Sequence, residues 1–198
     1  MEITEIRFNR TSEALKQPGA RTAFEKHLAE ELKSLVPEIV NRSIELPAYF
    51  TAEVGFYTNL MEEARKCYEF GLFHAAVSMI GIAAERFAME LSLKLKLSVN
   101  DKQITEKDLY DKGFTQYKRL ELLHKGGLIT EEAHDLLQEI RDIRNGYIHP
   151  SKVGDAKGDS LKLIKKFNEV IQSRFSEKYV FRSGQIVPRW GMRRPFTI

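Results

Sequence analysis

The stretch Ala64-Arg65-Lys66-Cys67-Tyr68-Glu69-Phe70-Gly71-Leu72-Phe73-His74-Ala75-Ala76 decides how this chain folds. From Phe50 to Phe70 the sequence reads as one helix, with Phe56, Leu60, Ala64 and Cys67 on one side. Gly71 interrupts it, and a second helix is expected from about Leu72 to Leu97. Ala75, Ala76, Met79, Ile80, Ala83, Phe87, Leu91 and Leu95 give that helix a wide apolar stripe. Its small residues, Ala75, Ala76, Gly81, Ala83 and Ala84, let a neighbouring helix approach closely. The expected class is all-α.

Working outward, Ala20 to Leu35 carries Phe24, Leu28, Leu32 and Leu35 at helical spacing. Pro18-Gly19 precedes it, and Pro37 is expected to end it. Pro47 marks a second break. On the other side, Thr105 with Asp108 resembles a weak cap before a short helical turn. Phe114 to Lys125 reads as a helix stopped by Gly126-Gly127. Thr130 caps a further helix that opens with Glu131-Glu132, acids well placed for the helix dipole, and runs to about Tyr147. Val153 to Asp159 reads as a loop, with Asp159 or Ser160 capping a last helix to about Phe175. Beyond Tyr179, the runs Val180-Phe181 and Gln185-Ile186-Val187 predict short strands or an extended arm. The expected organisation is an N-terminal helical extension (1–50), a helical domain (51–176) and a basic, aromatic C-terminal arm (177–198).

Composition narrows the function classes. With 198 residues, 42% of them hydrophobic and 30% charged, the chain is able to bury a core without disulfides or metals. Cys67 is the single cysteine, which excludes an intrachain disulfide and any cysteine-based zinc site. A cytoplasmic location is the expectation from that usage. The opening MEITEIRFNR has acids and no apolar core, so it does not read as a signal peptide. No stretch long enough to span a membrane is free of charge. The net charge of +3 is too small to argue for nucleic acid by itself. Its distribution says more: Lys178, Arg182, Arg189, Arg193 and Arg194 crowd the tail with no acid among them.

The chemistry-bearing segment is Arg141-Asp142-Ile143-Arg144-Asn145-Gly146-Tyr147-Ile148-His149-Pro150. On a helix, Ala133, Leu136, Leu137, Ile140, Ile143 and Tyr147 share the core face. Arg144 falls inside the same arc, about 40° from Ile140. A guanidinium there is costly unless it is paired or opens onto a groove. Gly146 weakens the helix and Pro150 biases residue 149 away from helical angles, so His149 is expected where the helix unravels, its ring free to turn back toward Arg144. Such a pair suits RNA cleavage. A histidine with a pKa near 6.5 can move the proton of the ribose 2′-hydroxyl or of the leaving oxygen, and an arginine can hold the scissile phosphate. With the 2′-hydroxyl as nucleophile no metal is required, and the products are a 2′,3′-cyclic phosphate and a 5′-hydroxyl.

Arg144-Asn145-x-x-x-His149 resembles the signature of HEPN domains: Arg, four to six residues, then His, often with a polar residue directly after the Arg. The segment from Ala64 to Ala76, leading to Ala84-Glu85-Arg86, is similar to the paired helices that open many such domains. The likeness is greatest to an uncharacterised branch found beside restriction and abortive-infection systems, and it covers roughly Thr51 to Phe175. It implies a bundle of four or five helices and a symmetric homodimer with two Arg/His pairs in one cleft. It also implies a metal-independent endoribonuclease in a defence or toxin–antitoxin role, without a cofactor. An antitoxin or another defence-system protein is a further partner it implies. Arg144 and His149 are then the catalytic pair, Asn145 positions one of them, and Glu85 orients Arg144.

Two other readings stay open. A non-catalytic HEPN-like module would bind RNA, a nucleotide or a protein, with Arg144 in a structural ion pair and His149 capping the last carbonyls. An antitoxin or accessory subunit is the third. Arg141 reads as substrate contact or as a solvated face. In the tail, Arg189, Arg193 and Arg194 interleave with Trp190, as phosphate and base contacts of an RNA-binding arm or as packing. His27, His74, His124 and His134 are scattered, without metal-ligand spacing. No Gly-x-Ser-x-Gly elbow and no phosphate-binding glycine loop occurs.

Overall fold

In the computed structural model, residues 16–17, 19–49, 55–94, 98–99, 102–111, 113–148, 154–182 and 185–188 are described. The chain divides into two compact units, Met1–Asn41 and Arg42–Ile198. The class is all-α, with two short antiparallel ribbons added.

Helix α1, Ala20–Glu45, begins in the first unit and ends in the second. Within the first unit it has no buried residue, and Leu28, Leu32, Val36 and Val40 stand exposed. The sequence expectation of a stop at Pro37 is corrected: Pro37 lies inside the helix. A proline there removes one ladder hydrogen bond and crowds the carbonyl four residues back, at a cost of ~3 kcal/mol. Downstream contacts in the second unit hold the last turn. Arg42 Nη1 donates to the Glu69 carbonyl at 3.0 Å, Glu45 accepts from the Tyr68 hydroxyl, and Lys157 Nζ donates to Glu45 at 3.3 Å.

The second unit is built on α2 (Phe56–Glu69) and α3 (Phe73–Lys94). Gly71 joins them at φ +77°, a left-handed conformation that glycine adopts without a Cβ clash. Leu72 N–H donates to the Cys67 carbonyl and Gly71 N–H to that of Tyr68, closing the end of α2 in a Schellman motif. The expected start at Phe50 is corrected to Phe56, with Gly55 extended at the cap; residues 50–54 lie outside the described set. The buried face is also turned from the expected one. Tyr57, Leu60, Met61, Ala64 and Tyr68 are buried, whereas Phe56 is exposed and Cys67 is half-buried. Phe56 instead lies under the Arg86 guanidinium, 5.3 Å from its ring centroid.

The strands β1 (Ser98–Val99) and β2 (Lys102–Gln103) pair antiparallel. Then come α4 (Glu106–Leu109), α5 (Gln116–Lys125), α6 (Glu131–Ile148) and α7 (Ala156–Lys178). Thr105 and Asp108 form a full capping box on α4. Thr130 Oγ1 accepts from Ala133 N–H at the start of α6, as its sequence predicts. The glycine stop after α5 repeats the first: Gly127 at φ +65° and Leu128 donate to the carbonyls of His124 and Leu123. Helix α7 starts earlier than expected. Asp155 caps it by accepting from Gly158 N–H at 3.1 Å, because Asp159 is turned away to Tyr147. After α7, β3 (Tyr179–Arg182) and β4 (Gln185–Pro188) pair antiparallel.

Helix α3 is the centre, packed against α2, α5, α6 and α7, and α6 packs on α7. Its Ala76, Val77, Ile80, Ala83 and Ala84 are fully buried, and Leu120, Leu137, Ile140, Leu163 and Phe167 close over them. Each large apolar side chain buried this way contributes roughly 1.5–3 kcal/mol relative to exposure. Tyr57, Phe87 and Phe167 meet edge to face, with centroids 5.2–6.4 Å apart. Among the described residues, no helix is long and apolar enough to cross a membrane.

Candidate functional site

The site grows from one close crossing. Where α6 passes over α3, Gly81 has no side chain, and the stem of Arg144 fills the space. A Cβ built on Gly81 would overlap the Arg144 Cγ and stand 3.0 Å from its Cβ. The core-facing arc of α6 is as the sequence predicts: Ala133, Leu137 and Ile140 are buried, and Leu136, Ile143 and Tyr147 pack against the core. Arg144 lies on that arc with 18% of its side chain exposed.

One turn beyond Gly81, Glu85 is placed on the same side of α3. Its Oε2 stands 3.7 Å from Arg144 Nη2, and its Oε1 stands 3.7 Å from Arg119 Nη1. One carboxylate thus lies between two guanidinium groups, at ion-pair distance from each and too far for a good hydrogen bond. Arg144 Nη2 also donates to Gln116 Oε1 at 3.3 Å.

Arg119, on α5, is 1% exposed. Its Nη2 donates to the carbonyls of Leu109 (2.9 Å) and Phe114 (3.4 Å), and its guanidinium lies 5.5 Å from the Phe114 ring centroid. Burial lowers its pKa from the usual arginine range, and the Glu85 charge acts in the opposite sense.

The sequence-predicted residues separate clearly. The structure brings Arg144 and Glu85 together. Asn145 lies beside Arg144 on the exposed side of α6. Arg141 is turned to its own neighbourhood: it pairs with Asp142 at 2.6 Å and lies over the Tyr117 ring, 5.1 Å from the centroid. His149, Arg189, Trp190, Arg193 and Arg194 lie outside the described residues. The last turn of α6 is tied down by Tyr147. Its hydroxyl donates to Asp159 Oδ2 at 2.7 Å, and its ring meets His74 edge to face at 5.6 Å. Burial, then the bond to Asp159, push its pKa up to about 12.

Gln116 and Arg119 are the members that sequence reading missed. A signal existed: Gln116, Arg119, Leu120 and Leu123 share one face of α5 at helical spacing, all buried. The criterion that singled out Arg144, a polar group on an apolar arc, applies equally to them. Elsewhere, the rings of His124 and His134 stack at 5.0 Å, with His134 Nε2 3.1 Å from Glu121. No three His, Cys, Asp or Glu side chains among the described residues are grouped to hold a metal ion. Burial and Glu63 raise the Cys67 thiol pKa, which disfavours the nucleophilic thiolate.

A family model described as "Domain of unknown function (DUF4145)" matches residues 62–184. Glu85, Gln116, Arg119, Arg144 and His149 all fall within that span. No curated protein matches the chain, and neither does any solved structure.

Proposed function

The chain belongs to the DUF4145 family, and we propose, from the Arg144 site and the Arg-x4-His spacing, that it is a metal-independent endoribonuclease of the HEPN type. One observation carries the proposal: the Arg144 guanidinium is held on a core-facing arc by Glu85 and Gln116 and yet keeps 18% of its side chain open at the surface. A cation fixed in this way has capacity left for a phosphate. Five residues on in the sequence stands His149.

In the reaction, the ribose 2′-oxygen attacks phosphorus and the bond to the 5′-oxygen breaks. His149 takes the 2′-hydroxyl proton or gives one to the leaving oxygen, and Arg144 neutralises the charge that builds on the phosphoryl oxygens. Glu85 and Gln116 hold Arg144 in place, and Asn145 positions one of the catalytic pair. The all-α bundle, the Arg-x4-His spacing and the Gly71 corner support the HEPN resemblance. That resemblance in turn favours a cytoplasmic homodimer with two such sites in one cleft, acting in defence or beside an antitoxin.

The test is incubation of the purified protein with mixed tRNA and mRNA in EDTA, beside Arg144→Ala and His149→Ala. EDTA-resistant cutting with 2′,3′-cyclic phosphate ends, lost in both variants, is the expected result. Cutting retained in both variants would sink the assignment. The contacts of Arg144 with Glu85 and Gln116 also favour a second reading, a non-catalytic module in which Arg144 is a structural partner. RNA bound but never cut, by wild type and variants alike, would establish that one.

A further inference from the structure

Beside the Glu85 cluster, a pocket of about 320 Å³ opens between α3, α4 and α5. Glu85, Arg86, Tyr110, Phe114, Gln116 and Arg119 line it. Two of these are more than nine-tenths buried and incompletely satisfied. Arg119 Nε and Nη1 and Gln116 Nε2 have no hydrogen-bond acceptor, and Arg144 Nε behind them also has none. Buried donors are rarely left in this state, because each such group loses its water without replacement. The nearest anion, Glu85, offers two oxygens to two guanidinium groups and stands 3.7 Å from each. Its side chain is 37% exposed, so water can take it up when it is displaced. At the mouth, Arg86 adds a third guanidinium, held by a 2.8 Å bond to the Tyr110 hydroxyl. Asp111, the other acid of the lining, is already engaged with Gly113 N–H at 2.7 Å.

We propose that this pocket is a seat for a phosphate-class oxyanion, with Arg119 and Gln116 as inner donors, Arg86 at its mouth and Glu85 as the carboxylate the anion displaces. Inorganic phosphate or a phosphomonoester presents more terminal oxygens than a carboxylate and carries up to two charges, and a backbone phosphodiester matches the carboxylate in both; either brings acceptors to donors that Glu85 leaves unmet. Glu85 then acts as an internal competitor, occupying the seat when no anion is present. The seat shares Glu85 and Gln116 with the site proposed for cleavage, but neither His149 nor any cutting step enters it, so phosphate binding and RNA cutting fail separately.

The test uses the full chain, ¹⁵N-labelled, titrated with inorganic phosphate against sodium chloride of equal ionic strength. Arginine Nε–H and glutamine amide signals are followed in wild type and Glu85→Gln. Saturable shifts in a few of these signals are expected, with binding roughly tenfold tighter in Glu85→Gln, the worth of one charge-assisted hydrogen bond. Shifts that merely track chloride in both proteins would overturn the seat. Equal affinity in the two would overturn the displacement of Glu85. Should Glu85→Gln fail to fold, Arg86→Ala replaces it and is expected to weaken phosphate binding several-fold; unchanged binding counts against the seat. A competing arm with a short 2′-deoxy oligonucleotide tells a backbone phosphate from a free one: displacement of bound phosphate assigns the seat to a nucleic-acid backbone, and no displacement assigns it to a small phosphate.

Discussion

Gly81 and Arg144 share one volume: the glycine on α3 is the hole into which the arginine stem of α6 fits. Gly81→Ala separates two opposing effects. Alanine is favoured over glycine in a helix interior by roughly 0.5–1 kcal/mol. Overpacking against the near end of a side chain costs about 1–3 kcal/mol. The near-end clash wins, so urea denaturation is expected to show a net loss of stability. A net gain would mean that α6 moves aside freely.

Loss of the proposed catalytic pair should separate activity from fold. His149→Ala is expected to lower the cutting rate by about 10²–10⁴-fold, the usual range for a general acid or base. Arg144→Lys keeps the charge but loses the fork and should not restore Arg144→Ala to wild-type rate. Circular dichroism of both variants should match wild type.

The Tyr147–Asp159 bond predicts a feature at alkaline pH. The folded pKa of Tyr147 is raised to about 12, above the usual tyrosine value near 10. The folded state therefore holds the proton more tightly. Its stabilising effect is complete below the unfolded pKa and is lost as pH rises through the folded one. Denaturation between pH 9 and 12 should show wild type losing stability more steeply than Tyr147→Phe. At neutral pH the variant should be less stable by about 1 kcal/mol, one hydrogen bond.

Replacing Pro37 by alanine should strengthen α1. A helix-interior proline costs ~3 kcal/mol relative to alanine, and this one sits in a helix with no buried residue to offset it. Amide exchange in 33–41 should slow. Unchanged exchange would show that this part of the helix is held by something other than its own ladder.

The legible parts of the fold were those set by local chemistry. Gly71 and Gly127 stop helices because their backbones turn left-handed, and Thr130 caps because its hydroxyl is in reach of Ala133. The misread parts were set at a distance. Pro37 did not end α1, because Arg42 and Glu45 are tied to Glu69, Tyr68 and Lys157, far away in the sequence. Asp155 rather than Asp159 caps α7, because Tyr147 holds Asp159. At the site, Arg144 was visible from its place on an apolar arc. Arg119 shares an equally apolar face of α5 with Gln116, Leu120 and Leu123, but its anchoring to the carbonyls of Leu109 and Phe114 is set by how the chain packs between α4 and α5 and is not written in its spacing.

The shared Glu85 carboxylate also sets its two arginines apart. Arg119 is anchored to two backbone carbonyls and deeply buried, so its loss strips several partners at once. Arg144 is nearer the surface, and when it is absent Glu85 is free to close on Arg119 alone. The two arginines are therefore unequal in what they hold: replacing Arg119 is expected to cost more stability than replacing Arg144.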